Sequence, residues 1–187
     1  MKKAILSIAV LSALGFSAVS HAATVGATGL ISFQGNINAD TCVVHSNGSG
    51  SSGNLTYQMG SVSANSLGLP DTPWESLNNN ITTLPTNVNL TMECMSGTNV
   101  SLKLTPTVTQ GKGIGVSGGA QGVQIMLVDG TVPMDFSVGP VTKGNIALNS
   151  AGSADLSLTA YYTKQSAGAV VTTGAANGSV AYELSYD

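Results

Sequence analysis

The pattern most typical of an enzyme in this sequence is Gly-Val-Ser-Gly-Gly, in which Ser117 takes the place of a hydrolase nucleophile. Such a serine acts from a strand-to-helix turn and needs an acid and a histidine later in the chain. No histidine follows Ser117. The overlapping glycines of residues 113–118 also match a dinucleotide fingerprint, but that fingerprint requires a helix after it. The next apolar run, VQIMLV, is typical of a strand, so we predict a glycine-rich loop here and no enzyme.

The start of the sequence has the features of a secretory signal. Lys2 and Lys3 are followed by an apolar run over residues 4–19, and residues 20–22 offer small side chains at both positions that a signal peptidase reads. A membrane anchor is the alternative, but an apolar run of sixteen residues interrupted by serines is short for a span. We therefore predict a signal peptide over residues 1–22 and a mature chain that is exported and not inserted in the membrane.

The two cysteines, Cys42 and Cys94, could form a disulfide, a metal site or a redox pair. A metal site needs about four ligands, and only His45 lies near Cys42. A redox pair usually has two intervening residues, whereas fifty-one separate these cysteines. An even pair in an exported chain is typical of a structural disulfide. We predict that bridge, and closing so long a loop restricts the unfolded chain by about 4 kcal/mol.

The composition is neutral and polar. Only 8% of the 187 residues are charged, against about 25% in a typical domain, and all six basic residues are lysines. Without Lys2 and Lys3, four lysines face nine acidic residues, a net charge of −5. This balance excludes nucleic-acid binding through a basic face. A hydrophobic share of 42% argues against disorder and favours one globular domain.

Short apolar–polar alternations separated by turn dipeptides predict an all-β chain. Period two over four to eight residues is typical of a strand with one buried face. No stretch of a dozen residues keeps helical spacing, so the strands indicate a sandwich of immunoglobulin type. The alternating apolar positions are Val88, Leu90 and Met92; Val100, Leu102 and Leu104; Val123, Ile125 and Leu127; and Leu156 and Leu158, leading into Ala160 and Tyr162.

The side chains on alternating positions differ in kind between the two ends of the mature chain. The last segment, with Val180, Tyr182, Leu184 and Tyr186 on one side, fits an ordinary terminal strand. The first segment is too rich in glycine and small side chains to anchor a sheet, and suits insertion into a groove made elsewhere. The residues on one side of this first segment are Val25, Ala27, Gly29, Ile31 and Phe33.

In their order and spacing these features resemble the pilin subunits of bacterial fimbriae assembled by the chaperone–usher pathway. The matching elements are the signal, then ISFQGNINADTC with Phe33 nine residues before Cys42, and the second cysteine. Gly174 is fourteenth from the end and Tyr186 is penultimate. The closing stretch VTTGAANGSVAYELSYD is similar to the ends of major fimbrial subunits, including the type 1 and type 3 kinds.

The resemblance implies an incomplete immunoglobulin-like sandwich that lacks its last strand and is completed by a donated one. A donor-strand extension over residues 23–35 would precede a pilin domain over residues 36–187. A periplasmic chaperone would first lend a strand to the groove, with its basic residues on the Asp187 carboxylate. The groove residues implied are Gly174, Val180, Tyr182, Leu184, Tyr186 and Asp187, and the donor residues are Val25, Ala27, Gly29, Ile31 and Phe33.

The function implied is that of a structural subunit of a surface fimbria that supports cell adhesion. At the outer-membrane usher, the extension of another copy or of a related pilin would replace the chaperone strand. No cofactor or metal is expected. A minor or tip adaptor subunit is the alternative within the family, and a secreted carbohydrate-binding domain is the alternative outside it.

Overall fold

The computed structural model describes residues 42–51, 53–77 and 83–187, which belong to a single compact unit. The predicted signal, the predicted donor extension and residues 36–41 lie outside this range. Apart from one 3-10 turn (Ala64–Ser66), the described secondary structure is all β, as predicted, and contains no helix long and apolar enough to cross a membrane. The strands are β1 (Cys42–Ser46), β2 (Ser49–Ser51), β3 (Asn54–Thr56), β4 (Thr86–Val88), β5 (Leu90–Cys94), β6 (Asn99–Pro106), β7 (Thr109–Gln110), β8 (Gly113–Gly115), β9 (Val123–Asp129), β10 (Val132–Pro133), β11 (Val141–Ala147), β12 (Ser153–Asp155), β13 (Leu158–Lys164) and β14 (Val180–Tyr186).

The larger layer combines two sheets, with strand orders β1-β5-β12 and β4-β13-β9-β8-β7, while β10 pairs with β9. Only Asn89 separates β4 from β5. The antiparallel register continues across that break, because Glu93 lies opposite Ser153 and Val88 lies opposite Leu158. The two sheets are therefore one continuous layer, and β1 is one of its edges. Strands β2 and β3 form a separate hairpin.

The smaller layer has the order β11-β6-β14 and packs its inner face on the larger one. Along β6, Val100, Leu102 and Leu104 are each at most 4% exposed, and the polar residues between them are more exposed, as the alternation predicted. Side chains from both layers meet in one core. Its buried members are Leu90, Met92, Val100, Leu102, Leu104, Ile114, Ile125, Leu127, Met134, Phe136, Ala154, Leu156, Leu158 and Ala160.

Strand β9 differs from the prediction of a single buried face. Residues 123–128 are all buried, so chain segments outside the layer cover its second face as well. Gln124 has no exposure: its Oε1 accepts from the N–H of Gly113 at 2.9 Å, and its Nε2 donates to the carbonyl oxygen of Lys164 at 3.2 Å. Because both polar atoms of the amide are hydrogen-bonded, a glutamine is tolerated at this buried position.

One side of the sandwich is closed where β11 meets the larger layer. The turn over residues 148–152 carries the chain from β11 to β12. Lys143 of β11 crosses between the layers, and its Nζ donates to the Asp129 carboxylate at 2.8 Å and to the carbonyl oxygen of Ser157 at 3.2 Å. A bulge follows Lys143, where Asn145 has a φ of 55°. A bulge and a lysine on an edge strand both discourage the addition of another strand.

Candidate functional site

Among the described residues, one edge strand of each layer lies on the same side of the molecule. In the larger layer β5 lies between β1 and β12, and in the smaller layer β6 lies between β14 and β11. Since β11 and β12 are joined by a short turn on the closed side, β1 and β14 lie on the opposite side. We call the space between these two strands the open side. Within the described ranges no strand pairs with the outer edge of either.

The inner face of β14 is incompletely covered. Val180, Tyr182 and Leu184 point toward the core and pack against it, but they are only partly buried. Their partners on β6 are the deeply buried core residues: Tyr182 lies opposite Leu104 and Leu184 lies opposite Leu102. These two neighbouring strands differ in burial because β6 has a strand on each side, whereas β14 pairs with no described strand other than β6. An apolar strip along β14 is left partly accessible.

The backbone of β14 also presents polar groups to the open side. At the start of the strand the N–H of Thr107 donates to the carbonyl oxygen of Ser179 at 3.0 Å, so the polar groups of residue 179 face β6. In an antiparallel ladder this direction alternates from one residue to the next. The N–H and C=O groups of Val180, Tyr182 and Leu184 consequently point away from β6. Such an edge is a template for an added strand.

Strand β1 forms the other wall of the open side. Cys42 and Val44 point inward and are partly buried, whereas Val43 and His45 are exposed on the outer face. Cys42 lies directly opposite Cys94 on β5 and is bonded to it, with a Cα–Cα distance of 4.2 Å. The predicted disulfide is thus confirmed. Because it joins the first residue of β1 to β5, it holds this edge strand in place at one end.

Ionisable side chains lie on the outer faces of both walls. Lys103 Nζ is 3.1 Å from the Glu183 carboxylate across β6 and β14, and His45 Nε2 is 3.2 Å from Glu93 across β1 and β5. All four side chains are about half exposed or more, and exposed pairs of this kind contribute little to stability. The inward positions of both walls carry no charge, so the open side suits an uncharged apolar strand.

Tyr186 and Asp187 lie at the end of β14, beside the turn that follows β5. Tyr186 is 40% exposed. The N–H of Thr98 donates to the main-chain oxygen of Asp187 at 2.6 Å, and the N–H of Asp187 donates to the carbonyl oxygen of Asn99 at 3.2 Å. These bonds fix the end of β14 on β6. Tyr186 thus joins Val180, Tyr182 and Leu184 along one strand, with Asp187 directly after them.

Gly174 lies apart from these residues, in the loop before β14. A Cβ at this position would come within 2.5 Å of the backbone nitrogen of Ala120, so the close approach of the two loops requires glycine. Gly174 lines a cavity of about 320 Å³ together with Leu67 and Tyr162. The Tyr162 hydroxyl donates to the carbonyl oxygen of Ala176 at 2.7 Å, and burial raises the pKa of Tyr162. A groove role for Gly174 stays a prediction.

The predicted glycine-rich loop over residues 113–118 is wrong for its first half, because Gly113–Gly115 form the buried strand β8. Ser117 lies after this strand, and strand β9 follows, as the sequence predicted. Both the N–H and the hydroxyl of Ser117 donate to the carbonyl oxygen of Asn177, at 2.8 and 3.2 Å. The hydroxyl proton is therefore directed at a backbone acceptor and not at a base. Among the described residues no group of three His, Cys, Asp or Glu side chains could hold a metal ion.

Two features of the site went unrecognised in the sequence. The first is the role of β1 as a wall, which the alternation of Cys42 and Val44 with exposed neighbours could have indicated. The second is Lys143, whose contact with Asp129 no local pattern predicts, since it joins the two layers. The predicted donor residues Val25, Ala27, Gly29, Ile31 and Phe33 lie outside the described residues, so their pairing with the open side stays a prediction.

No protein-family model matches this chain, and no curated protein matches it. Among solved structures it is similar to the CupB6 tip adhesin from Pseudomonas aeruginosa (TM-score 0.41, 16% identity, 54% of this chain), of which it spans 30% of the length. It is also similar to a chain from a chaperone–usher pilus studied for rod uncoiling (TM-score 0.49, 18% identity, 87% of this chain and 97% of that one). The P pilus rod subunit PapA gives a TM-score of 0.49 at 19% identity, over 76% of this chain and 99% of that one.

Proposed function

We propose that this chain is a structural subunit of a surface fimbria that polymerises head to tail. Each copy donates residues 23–35 to the open side of another copy. The observation that carries the proposal is the partly exposed inner face of β14 combined with its outer backbone edge, with which no described strand pairs. A strand that entered there would cover the apolar strip and would pair with the backbone groups of Val180, Tyr182 and Leu184.

The predicted donor segment matches the open side in length and chemistry. Strand β14 has seven residues, which extend over about 23 Å at 3.3 Å per residue. Residues 25–33 number nine, or about 30 Å, so they suffice to follow the whole strand. Their alternating members carry no charge, like the inward positions of the two walls. Gly29 at the centre suits a place where the backbones come close.

The partners of this subunit follow from the exposure of the open side. An unpaired apolar edge promotes aggregation, so a periplasmic chaperone would cover it with a strand of its own until assembly. An outer-membrane usher would then exchange that strand for residues 23–35 of the next copy. Because the donating and accepting surfaces differ, the contact is heterologous and generates an open fibre on the cell surface. The fibre would support cell adhesion.

The proposal is tested by deleting residues 23–35 from the mature chain and comparing its assembly with that of the intact chain by sedimentation and electron microscopy. The intact chain should form filaments, and the deleted chain should form none. The deleted chain should still bind a synthetic peptide of residues 23–35, because its own open side is unchanged. Filaments from the deleted chain, or failure of the intact chain to form them, would refute the proposal.

The place of the subunit in the filament is tested on cells. We infer a shaft subunit, because the closing stretch of the sequence is similar to those of major fimbrial subunits. Electron microscopy of cells without this protein should show that entire filaments are lost. Loss of the filament tip alone would identify a minor or tip adaptor subunit instead.

A further inference from the structure

A shallow basin of about 530 Å³ lies at the end of the sandwich where β1 begins. Val43, Cys94, Met95 and Ala151 line it, with Glu93 at its polar side. Met95 is 86% exposed and Val43 is 53% exposed. Neighbouring exposed apolar side chains mark a surface for interaction, and methionine adapts its shape to different partners.

The basin is also the place where the preceding chain enters the domain. Cys42, the first residue of β1, is bonded to Cys94, which precedes Met95 in the sequence. Six residues, 36–41, separate Cys42 from the predicted donor segment. The seven steps from residue 35 to Cys42 span at most about 25 Å, taking 3.5 Å per step. A copy that holds residues 23–35 must therefore lie close to the basin.

We propose that the basin docks against the copy that accepts the donor strand, next to the inserted strand. The inference rests on the proposed function and deepens it by placing a second contact in the same junction. The occupant is a second copy of this chain, because the six-residue tether keeps that copy at the basin at high effective concentration. A stable free dimer needs about 1,000 Å² or more of buried surface, which two exposed side chains do not supply, so the contact forms only in the tethered polymer.

The experiment replaces Met95 with a photo-crosslinking amino acid in the full mature chain. Filaments are assembled from equal amounts of ¹⁴N- and ¹⁵N-labelled chains, and crosslinked peptides are identified by mass spectrometry. Mixed-label crosslinks from position 95 are expected. The same substitution at Val138, which is 93% exposed and lies outside the basin, measures the background, and its mixed-label yield should be several-fold lower.

Three results would overturn the inference in filaments that do form. They are crosslinks only within one chain (as expected if residues 36–41 cover the basin), crosslinks only to a different protein, and a mixed-label yield no higher than at Val138. If the intact chain forms no filaments, the proposed function fails first and this inference fails with it. Assembly is scored before irradiation, so the two failures are distinguishable.

A charge variant provides a second measurement. With the crosslinker at Val43, Met95→Glu should lower the mixed-label yield about fivefold, because it places a second carboxylate beside Glu93 in the basin. That ratio corresponds to about 1 kcal/mol. Met95→Leu keeps an apolar side chain and should retain the yield. An equal yield from both variants would contradict a contact at this surface.

Discussion

Replacing Leu184 with alanine separates the stability of the subunit from its capacity to accept a strand. Leu184 is partly buried, whereas its cross-strand partner Leu102 has no exposure. Full burial of a leucine contributes about 1.5–3 kcal/mol. Because Leu184 is already mostly buried, the larger part of that, roughly 1–2.5 kcal/mol, should be lost from the free energy of unfolding of the unoccupied subunit. The remainder, up to about 1 kcal/mol, should be lost only when a strand binds, which weakens strand affinity by up to about fivefold.

The assay combines urea unfolding with binding of a fluorescent peptide of residues 23–35. Leu102→Ala is the comparison for the core and should lower the free energy of unfolding by about 2–5 kcal/mol. Leu84→Ala is the surface control, because Leu84 is 52% exposed and lies on neither wall of the open side. Leu84→Ala should change neither the free energy of unfolding nor the free energy of peptide binding by more than about 0.5 kcal/mol.

The reasoning is refuted if Leu184→Ala destabilises the subunit as much as Leu102→Ala does and leaves peptide binding unchanged. Leu184 would then be an ordinary core residue, and β14 would have no open side. Weaker peptide binding with a loss of stability smaller than that of Leu102→Ala is the expected pattern.

The remaining predictions concern the disulfide, the donor segment, the end of β14 and Asp155. Cys42→Ser should lower the free energy of unfolding by about 4 kcal/mol, measured by urea denaturation, and equal stability under oxidising and reducing conditions would contradict this. Gly29→Leu should prevent filament formation while leaving the fold unchanged by circular dichroism, and normal filaments would disprove the close approach. Deleting Tyr186 and Asp187 should lower the periplasmic yield of the subunit on immunoblots, and an unchanged yield would argue against chaperone capture at the end of β14. Two hydrogen bonds from Ser157 lower the pKa of Asp155, and the one from its side chain has a larger effect than the one from its N–H. The ionised Asp155 therefore stabilises the folded subunit above about pH 4, and this contribution is lost as the pH falls through the lowered pKa. With Asp155→Asn, the free energy of unfolding should fall less between pH 5 and pH 3 than it does in the unchanged chain. An equal fall in both chains would refute the assignment.

The sequence alone determined the local elements of the fold. Apolar residues at every second position predicted β6, β13 and β14, because side chains on an extended chain alternate between its two faces whatever the strand packs against. The pairing of Cys42 with Cys94 was equally accessible, since the sequence contains no third cysteine to compete. Val180, Tyr182 and Leu184 were therefore predictable as inward residues of β14, whereas Tyr186, the fourth residue predicted on that side, is 40% exposed.

Only the tertiary structure decided which strand edges are protected and which are open. The burial of both faces of β9, the contact of Lys143 with Asp129 and the position of Gly174 against Ala120 all depend on segments distant in sequence. The same holds for the open side, because β14 pairs with a strand some eighty residues earlier, and its other edge is unpaired by any described strand. Alternation sets which way a side chain points, but its burial depends on the neighbours that the fold brings to that face.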